Sequence, residues 1–176
     1  PFCRAPTVDD ETGLIVARGE FTFVVLNLYP YNTGHVMICP YRHVALYTDV
    51  TDDEREEISR VTQKAMRVLT EVSHCQGFNL GMNQGVAAGA GIAAHLHQHV
   101  VPRWGGDANF LPIVGRTKAL PELLGDTRRR LAEAWPAVTW AGPRDTLGED
   151  PPPPRRRSGR GQEPLHLVRW DRAVPL

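Results

Sequence analysis

Three histidines alternate with other residues in the segment "AHLHQHVVPRW" (94–104). They are His95, His97 and His99, and the whole chain has only seven histidines. Side chains at every second position of a β-strand project from the same face, roughly 6.5–7 Å apart. A strand here would therefore carry a row of imidazoles. Such a row could be a polar strand face without a function, it could share a metal ion, or it could act as a nucleophile on phosphorus.

The nucleophilic interpretation is favoured over the other two. The outer imidazoles of a straight strand lie too far apart to converge on one tetrahedral zinc ion. A neutral imidazole is a good nucleophile, and crowded imidazoles disfavour each other's protonation, which keeps a lone pair available near neutral pH. The preceding segment "NQGVAAGAG" (83–91) has few bulky side chains, so its backbone N–H groups could turn towards phosphate oxygens. The pattern indicates chemistry at a phosphate group.

The elements that must position these histidines are mostly strands. Residues 14–18 and 20–28 are rich in Val, Ile, Phe and Thr with Gly19 between them, which predicts a β-hairpin. A further apolar run to Cys39, the segment "GFNLGMN" (77–83) and the segment from His95 to Pro102 predict three more strands.

Two helices are predicted. Thr51 followed by Glu54 resembles a capping box, and apolar residues then recur at helical spacing, so a long helix should run from about Asp52 to about Ser73. Pro121 suits the first turn of a shorter helix that continues to Ala134. The expected fold is α+β, with an antiparallel sheet of about five strands, one long helix and one short helix.

Composition narrows the class of protein. A chain of 176 residues is long enough for one ordinary domain. Twenty Lys and Arg residues balance twenty Asp and Glu residues, which argues against nucleic acid as a partner. No apolar run approaches about 20 residues and no secretory signal is visible, so no membrane partner is expected. The three widely spaced cysteines favour reduced thiols and a cytoplasmic location.

The chain changes character after Trp140. Residues 1–140 are expected to form one folded domain that carries the histidine row. Residues 141–176 contain the run "PPPPRRR" (151–157) and little apolar periodicity, which predicts a disordered tail rich in Pro and Arg.

The histidine motif, read with its neighbours, resembles a known family. His95-Leu96-His97-Gln98-His99-Val100-Val101 is similar to the signature of the histidine-triad (HIT) family. The similarity continues through "VVLNLYPYNTGHVMICPYRHV" (24–44) and "PRWGGDANF" (102–110) and covers roughly residues 1–135. It implies the HIT-like sheet and a nucleotide hydrolase or transferase that acts at an α-phosphate. The extended string is most similar to the branch that contains diadenosine tetraphosphate phosphorylases of high-GC bacteria.

The resemblance also implies roles for individual residues. His97 would be the nucleophile that takes the nucleotidyl group, His99 would hydrogen-bond the phosphate, and His95 would assist near the leaving group or orient the row. His35 matches a histidine that lies behind the triad. Further substrate-binding positions are Asn27 at the ribose, Asn83 at the phosphate, and Gln84, Gly89 and Gly91 in the phosphate loop.

Two departures from the family pattern stand out. Gln98 replaces an apolar residue, and by alternation it should face away from the histidines, which puts core packing in doubt more than chemistry. The phosphate loop has Ala90 and Ala94 where many relatives carry a Gln, Ser or Thr. Whether the leaving-group oxygen receives a side-chain donor is therefore left open.

Arg103 and Trp104 follow the triad strand directly. A phosphorylase needs an anion pocket that lets millimolar phosphate compete with water. Arg103 could offer two donors to that phosphate, and Trp104 could cover the intermediate or stack on a base. The other interpretation is a surface ion pair for Arg103 and a core-edge position for Trp104.

The resemblance implies a structural zinc site, although no cofactor is expected for catalysis. Relatives of this kind often begin with the residues Cys-Pro-Phe-Cys, whose cysteines bind zinc together with two histidines. Cys3, His43 and His95 match three of these positions, and the first cysteine would lie just upstream of Pro1. The family also implies a homodimer or a dimer of dimers.

The predicted activity is nucleotidyl transfer from diadenosine tetraphosphate or a related nucleotide, through a nucleotidyl-histidine intermediate. The partners would be the nucleotide and inorganic phosphate. Two alternatives stay open: a HIT-type dinucleoside polyphosphate hydrolase or nucleoside phosphoramidase, and a nucleotide-binding adaptor with negligible turnover.

Overall fold

The computed structural model describes residues 1–107 and 122–137. Its centre is a five-stranded sheet in the order β1-β2-β3-β5-β4, and every neighbouring pair is antiparallel. The strands are β1 (Ile15–Arg18), β2 (Thr22–Leu26), β3 (Val36–Pro40), β4 (Gly77–Gly81) and β5 (Gln98–Arg103). The helices are α1 (Asp52–Ser73) and α2 (Leu124–Ala134). The predicted α+β architecture is confirmed.

The long helix α1 begins and ends as its sequence predicts. The Thr51 hydroxyl accepts a hydrogen bond from the Glu54 N–H, and the Glu54 carboxylate accepts one from the Thr51 N–H, which completes the capping box. Glu54 also pairs with Arg42 at 2.7 Å. Ile58, Ala65, Val68 and Leu69 of α1 are buried against the apolar residues on one face of the sheet.

One carboxylate, near the N-terminal end of α1, binds the hairpin between β1 and β2. Glu57 accepts hydrogen bonds from the backbone N–H groups of Glu20 and Phe21, at 3.0 and 2.7 Å, and from the Thr22 hydroxyl at 2.9 Å. Burial raises the pKa of Glu57, but these hydrogen bonds together lower it below its ordinary value. The carboxylate therefore stays charged at neutral pH and holds the hairpin in place.

The start of β5 differs from the prediction. The strand begins at Gln98, three residues later than expected, and it ends at Arg103. Before it, the Leu96 N–H donates to the Val44 carbonyl at 2.6 Å, and the His95 ring nitrogen Nε2 lies 2.9 Å from the Pro40 carbonyl oxygen. These bonds tie His95 and Leu96 to the end of β3 and to the segment that follows it, and of the three histidines only His99 belongs to the regular strand.

Other differences are small. Strand β4 ends at Gly81 rather than Asn83, and α2 begins at Leu124 with Leu123 as its N-cap. Pro121 and the whole predicted tail, residues 141–176, lie outside the described residues. Neither α1 nor α2 combines the length and the hydropathy that a bilayer crossing requires.

Candidate active site

A cavity of about 780 Å³ opens on the face of the sheet away from α1. Its floor is made by Val25 and Met37 of β2 and β3, and His97 and His99 lie at its wall. The rest is lined by the N-terminal segment 1–14, the loop 27–31 and the glycine-rich loop 83–92, and most of the lining is apolar. A cavity of this size with a few polar groups is typical of a small-molecule site.

The geometry of His97 fixes which ring nitrogen carries a lone pair. His97 Nδ1 lies 2.8 Å from the carbonyl oxygen of His95. A carbonyl only accepts hydrogen bonds, so in the neutral ring Nδ1 carries the proton and Nε2 carries the lone pair. His97 is buried and lines the cavity. The ring is thus held in the tautomer that a nucleophile needs.

A second chain of hydrogen bonds orients His99. The backbone N–H of Tyr31 donates to His35 Nδ1 at 3.0 Å, so His35 carries its proton on Nε2. His35 Nε2 lies 2.9 Å from His99 Nδ1 and donates to it. His99 therefore carries its own proton on Nε2 and can donate it as a hydrogen bond. The His97 and His99 rings have their centroids 4.9 Å apart.

Burial keeps both supporting histidines neutral. It lowers the pKa of His35 to about 3, with smaller contributions from His99 and His97. Burial, and then His97, lowers the pKa of His99 to about 4. Repulsion between neighbouring protonated rings also lowers these pKa values, as the spacing of the histidines predicted, but desolvation is the larger cause.

His95 makes different contacts from the other two triad residues and is not among the residues that line the cavity. Its Nδ1 lies 3.3 Å from the Cys3 sulfur, and His43 Nδ1 lies 3.0 Å from the same sulfur. The ligand atoms of these three residues all lie within 4.8 Å of one another. The Pro40 carbonyl accepts the proton of His95 Nε2, which leaves the Nδ1 lone pair free for a metal ion. The structure brings together the three residues that the resemblance named as metal ligands.

Four of the expected substrate-binding residues line the cavity: Asn27, Asn83, Gly89 and Gly91. Asn27 also supports His35, since its Nδ2 lies 3.3 Å from His35 Nδ1. Gly89 has a φ of 74°, a left-handed conformation that favours glycine. Gln84 is not among the lining residues, and its side-chain oxygen accepts a hydrogen bond from the Tyr47 N–H at 2.7 Å.

The structure does not bring Arg103 and Trp104 to the cavity. The Arg103 guanidinium makes a bidentate ion pair with Asp107, both contacts at 2.7 Å, and donates a further hydrogen bond to Asn79. The Trp104 indole N–H donates to the Ser73 carbonyl, and the ring packs against the core around α1. Arg103 therefore makes a surface ion pair and Trp104 lies at the edge of the core, which is the second of the two interpretations of these residues.

Sequence reasoning missed three residues that support the site. The Phe2 ring packs 4.8 Å from the His97 ring and 5.6 Å from the His95 ring. The Tyr31 ring stacks on His99 at 5.7 Å, in addition to its backbone bond to His35. Thr62 of α1 accepts a hydrogen bond from the Gln98 side chain at 2.6 Å. Gln98 faces away from the triad, as predicted, and its amide is satisfied.

The HIT domain family matches residues 10–106. A Mycobacterium tuberculosis protein named "AP-4-A phosphorylase" is 56% identical over 135 residues, which cover 77% of this chain and 69% of the relative. The asymmetrical bis(5'-nucleosyl)-tetraphosphatase of Schizosaccharomyces pombe is 31% identical over 86 residues, 49% of this chain and 47% of that protein.

Solved structures agree. A histidine triad nucleotide-binding protein of Sulfolobus tokodaii superimposes with a TM-score of 0.64 at 25% identity, over 78% of this chain and 92% of that one. A zinc-bound histidine triad protein of Mycobacterium smegmatis gives a TM-score of 0.62 at 25% identity, over 78% and 93% of the two chains. The fold, the order of the histidines and the sequence match lead to one conclusion: this chain belongs to the HIT domain family.

Proposed function

We propose that this protein cleaves diadenosine tetraphosphate, or a related dinucleoside polyphosphate, at the α-phosphate through a nucleotidyl-histidine intermediate on His97. The observation that carries the proposal is the tautomer of His97, whose Nδ1 proton is held by the His95 carbonyl in a residue that lines the cavity. The similarity to the mycobacterial protein named for AP-4-A supports the choice of substrate.

The first step is an in-line displacement. The Nε2 lone pair of His97 attacks the α-phosphorus and forms a P–N bond, while the bond to the bridging oxygen breaks and its electron pair leaves with the remaining phosphate chain. His99 Nε2–H donates to a non-bridging oxygen and stabilises the charge that develops there. We assign the same role to the N–H groups of the glycine-rich loop and to Asn83, since Asn83, Gly89 and Gly91 line the cavity.

The second step regenerates the free histidine. An oxygen of inorganic phosphate, or of water, attacks the same phosphorus, the P–N bond breaks, and its electron pair returns to His97 Nε2. The proton of the attacking phosphate or water is released to solvent. Asn27, near His35 and at the cavity wall, is the residue we assign to the ribose. Phosphate as acceptor would yield ADP, and water would yield AMP.

We propose in addition that Cys3, His43 and His95 bind zinc. Ligand atoms held about 2.0–2.3 Å from one zinc ion lie roughly 3.5 Å from one another, and the Cys3–His43 and Cys3–His95 separations of 3.0 and 3.3 Å are close to this. A thiolate with two imidazoles is a donor set that zinc prefers. The bound ion would fix the N-terminal segment to the sheet and would take no part in the displacement.

Assembly and location are proposals of the same kind. We propose a homodimer or a dimer of dimers, as the family resemblance implies. Cys3, Cys39 and Cys75 are free thiols, which supports a cytoplasmic location. The catalytic unit would be residues 1–140, with 141–176 as a separate tail.

Product analysis tests the activity. Diadenosine tetraphosphate is incubated with the protein with and without millimolar phosphate, and the nucleotides are separated by chromatography. ADP plus ATP in the presence of phosphate supports a phosphorylase. AMP plus ATP, unchanged by phosphate, would identify the hydrolase alternative. Tight nucleotide binding without turnover would identify the adaptor and overturn the proposed chemistry.

A further inference from the structure

We propose that Arg4 is the anion-binding side chain of the cavity and contacts a phosphate group next to the one that His97 attacks. This phosphate belongs either to the substrate chain or to the inorganic phosphate that acts as acceptor. The chemistry is the same in both cases: a guanidinium donating two hydrogen bonds to phosphate oxygens. The inference rests on the proposed function, but it can be tested without turnover.

The first observation in favour of Arg4 is the charge of the cavity lining. Among the described side chains that line the cavity there is no Asp, Glu or Lys, and Arg4 is the only one besides His97 and His99 that can carry a positive charge. His99 is neutral at physiological pH because burial lowers its pKa to about 4. A dinucleoside tetraphosphate brings several negative charges into this space, and Arg4 supplies the permanent positive charge that attracts them.

Arg4 also differs from most of the other arginines in residues 1–107 and 122–137. Seven arginines form ion pairs with Asp or Glu: Arg18, Arg42, Arg55, Arg103, Arg128, Arg129 and Arg130. The Arg4 guanidinium has no hydrogen-bond or ion-pair partner in residues 1–107 or 122–137, and its side chain is exposed at the cavity. Its donors are therefore available to a ligand without breaking a protein contact.

The backbone holds Arg4 in position. Its N–H donates to the Pro1 carbonyl at 3.0 Å, and its carbonyl accepts hydrogen bonds from the Thr7 N–H at 2.9 Å and the Thr7 hydroxyl at 2.8 Å. Phe2 packs its ring 4.8 Å from the His97 ring. Arg4 follows Phe2 by two residues, and Arg4, Phe2 and His97 all line the same cavity.

Arg103, the candidate for this role from the sequence, has its guanidinium committed to Asp107. The structure thus offers a different cation for the same purpose. Arg4 precedes the first strand, and its proximity to the triad could not be read from sequence spacing.

The test uses Arg4→Ala and Arg4→Lys in the full chain, with Arg60→Ala as the matched control. Arg60 is also exposed and without a described ion-pair partner, but it lies on α1 and lines a separate cavity on the other face of the sheet. Binding of sodium tripolyphosphate is measured by isothermal titration calorimetry. We expect the Kd to rise at least about tenfold in Arg4→Ala, to rise less in Arg4→Lys, and to stay unchanged in Arg60→Ala.

Steady-state kinetics then separate the two sources of the phosphate. If Arg4 holds the acceptor, Arg4→Ala raises the KM for inorganic phosphate and the AMP share of the products. If it holds the substrate chain, the KM for diadenosine tetraphosphate rises and the AMP share is unchanged. Either result supports the inference.

Several results would overturn it. One is tripolyphosphate binding by Arg4→Ala with wild-type affinity, and another is an effect of Arg60→Ala equal to that of Arg4→Ala. No measurable binding of tripolyphosphate by the wild-type protein at millimolar concentration would also overturn it. Circular dichroism checks whether Arg4→Ala folds. If it does not fold, Arg4→Lys replaces it in the test, and wild-type tripolyphosphate affinity together with wild-type KM values in Arg4→Lys would overturn the inference. Absence of turnover with intact, Arg4-dependent tripolyphosphate binding would reject the proposed function and leave this inference standing.

Discussion

His97 donates its Nδ1 proton to the main-chain carbonyl of His95, two residues earlier in the chain, at 2.8 Å. This bond leaves the lone pair on Nε2, which is the nucleophile of the proposed mechanism, so His97→Ala should lower turnover by several orders of magnitude. Nucleotide binding should persist, because loop and ribose contacts remain. The measurements are initial rates and calorimetric nucleotide binding.

The matched control for this variant is His74→Asn, which removes an exposed histidine at the end of α1 where the backbone φ is 49°. Asn tolerates that left-handed conformation, so activity should be unchanged. If His97→Ala keeps a tenth of the wild-type rate, the nucleophile assignment is wrong.

Stability should depend on pH because of His35 and His99. Their pKa values are about 3 and about 4 in the folded protein, against 6.5 as the ordinary value. Between these limits the unfolded chain binds more protons than the folded one, so the free energy of unfolding rises with pH. Stability is fully present above about pH 6.5 and is lost as the pH falls towards 4.

Urea unfolding at several pH values between about 4.5 and 7.5 measures this slope. His99→Gln keeps a hydrogen-bonding side chain but removes one titrating ring, and it should make the slope shallower. An equal slope in the wild type and in this variant would show that His99 is not held neutral by the fold.

The proposed metal site predicts a thermal stabilisation by zinc. In the wild-type protein the Tm should rise with the free zinc concentration, since the ion binds the folded state. Cys3→Ser should abolish this dependence and should lower the zinc content measured by elemental analysis. Cys75→Ala, at a cysteine outside the cluster, should retain both. Zinc retained in full by Cys3→Ser would contradict the ligand assignment.

Arg103→Ala distinguishes the two interpretations of that residue. The bidentate pair with Asp107, in which the Arg103 side chain is 40% exposed, predicts only a small loss in the free energy of unfolding, because solvent screens the pair. It also predicts an unchanged ratio of ADP to AMP. A higher AMP share would instead support the phosphate-binding role that the sequence suggested. Chemical denaturation and product chromatography give the two readouts.

The composition of the C-terminal residues predicts that they contribute little to stability or to activity. Deletion of residues 143–176 should change the Tm by less than about 2 °C and should leave turnover unchanged, because this segment offers little apolar area to bury. Differential scanning calorimetry and rate measurements check this. A large loss of stability would show that the segment "LHLVRW" (165–170) docks on the domain.

The elements that sequence predicted well are those set by local interactions. The capping box of Thr51 and Glu54 and the apolar spacing that follows involve residues at most four apart, and α1 has the predicted ends. The predicted start of β5 was wrong because residues before the strand form hydrogen bonds with Pro40 and Val44, about fifty residues earlier. No local pattern carries that information.

The same distinction holds in the site. Alternation predicted a common row for the three histidines, and His97 and His99 do line one cavity. His95 is drawn to Cys3 and His43, which only the family resemblance indicated. Sequence did not indicate the supporting contacts of Phe2, Tyr31 and Thr62. These contacts join segments that are far apart in sequence, or they are made by backbone atoms. The Phe next to a Cys in "PFC" (1–3) was the one available signal for Phe2.

The peptide N–H of Tyr31 that donates to His35 has a consequence for the energetics of the reaction. A main-chain amide neither titrates nor exchanges donor for acceptor, so it sets the direction of the hydrogen bonds through His35 to His99. In the proposed mechanism, His99 Nε2–H, the donor to the phosphate, is therefore oriented before substrate arrives. Solvent around a free phosphate must reorient as charge moves, whereas this dipole is already aligned. Folding has therefore already supplied this reorganisation energy. The group that aligns the hydrogen bonds is the Tyr31 main-chain amide, so substitution of the Tyr31 side chain does not remove it.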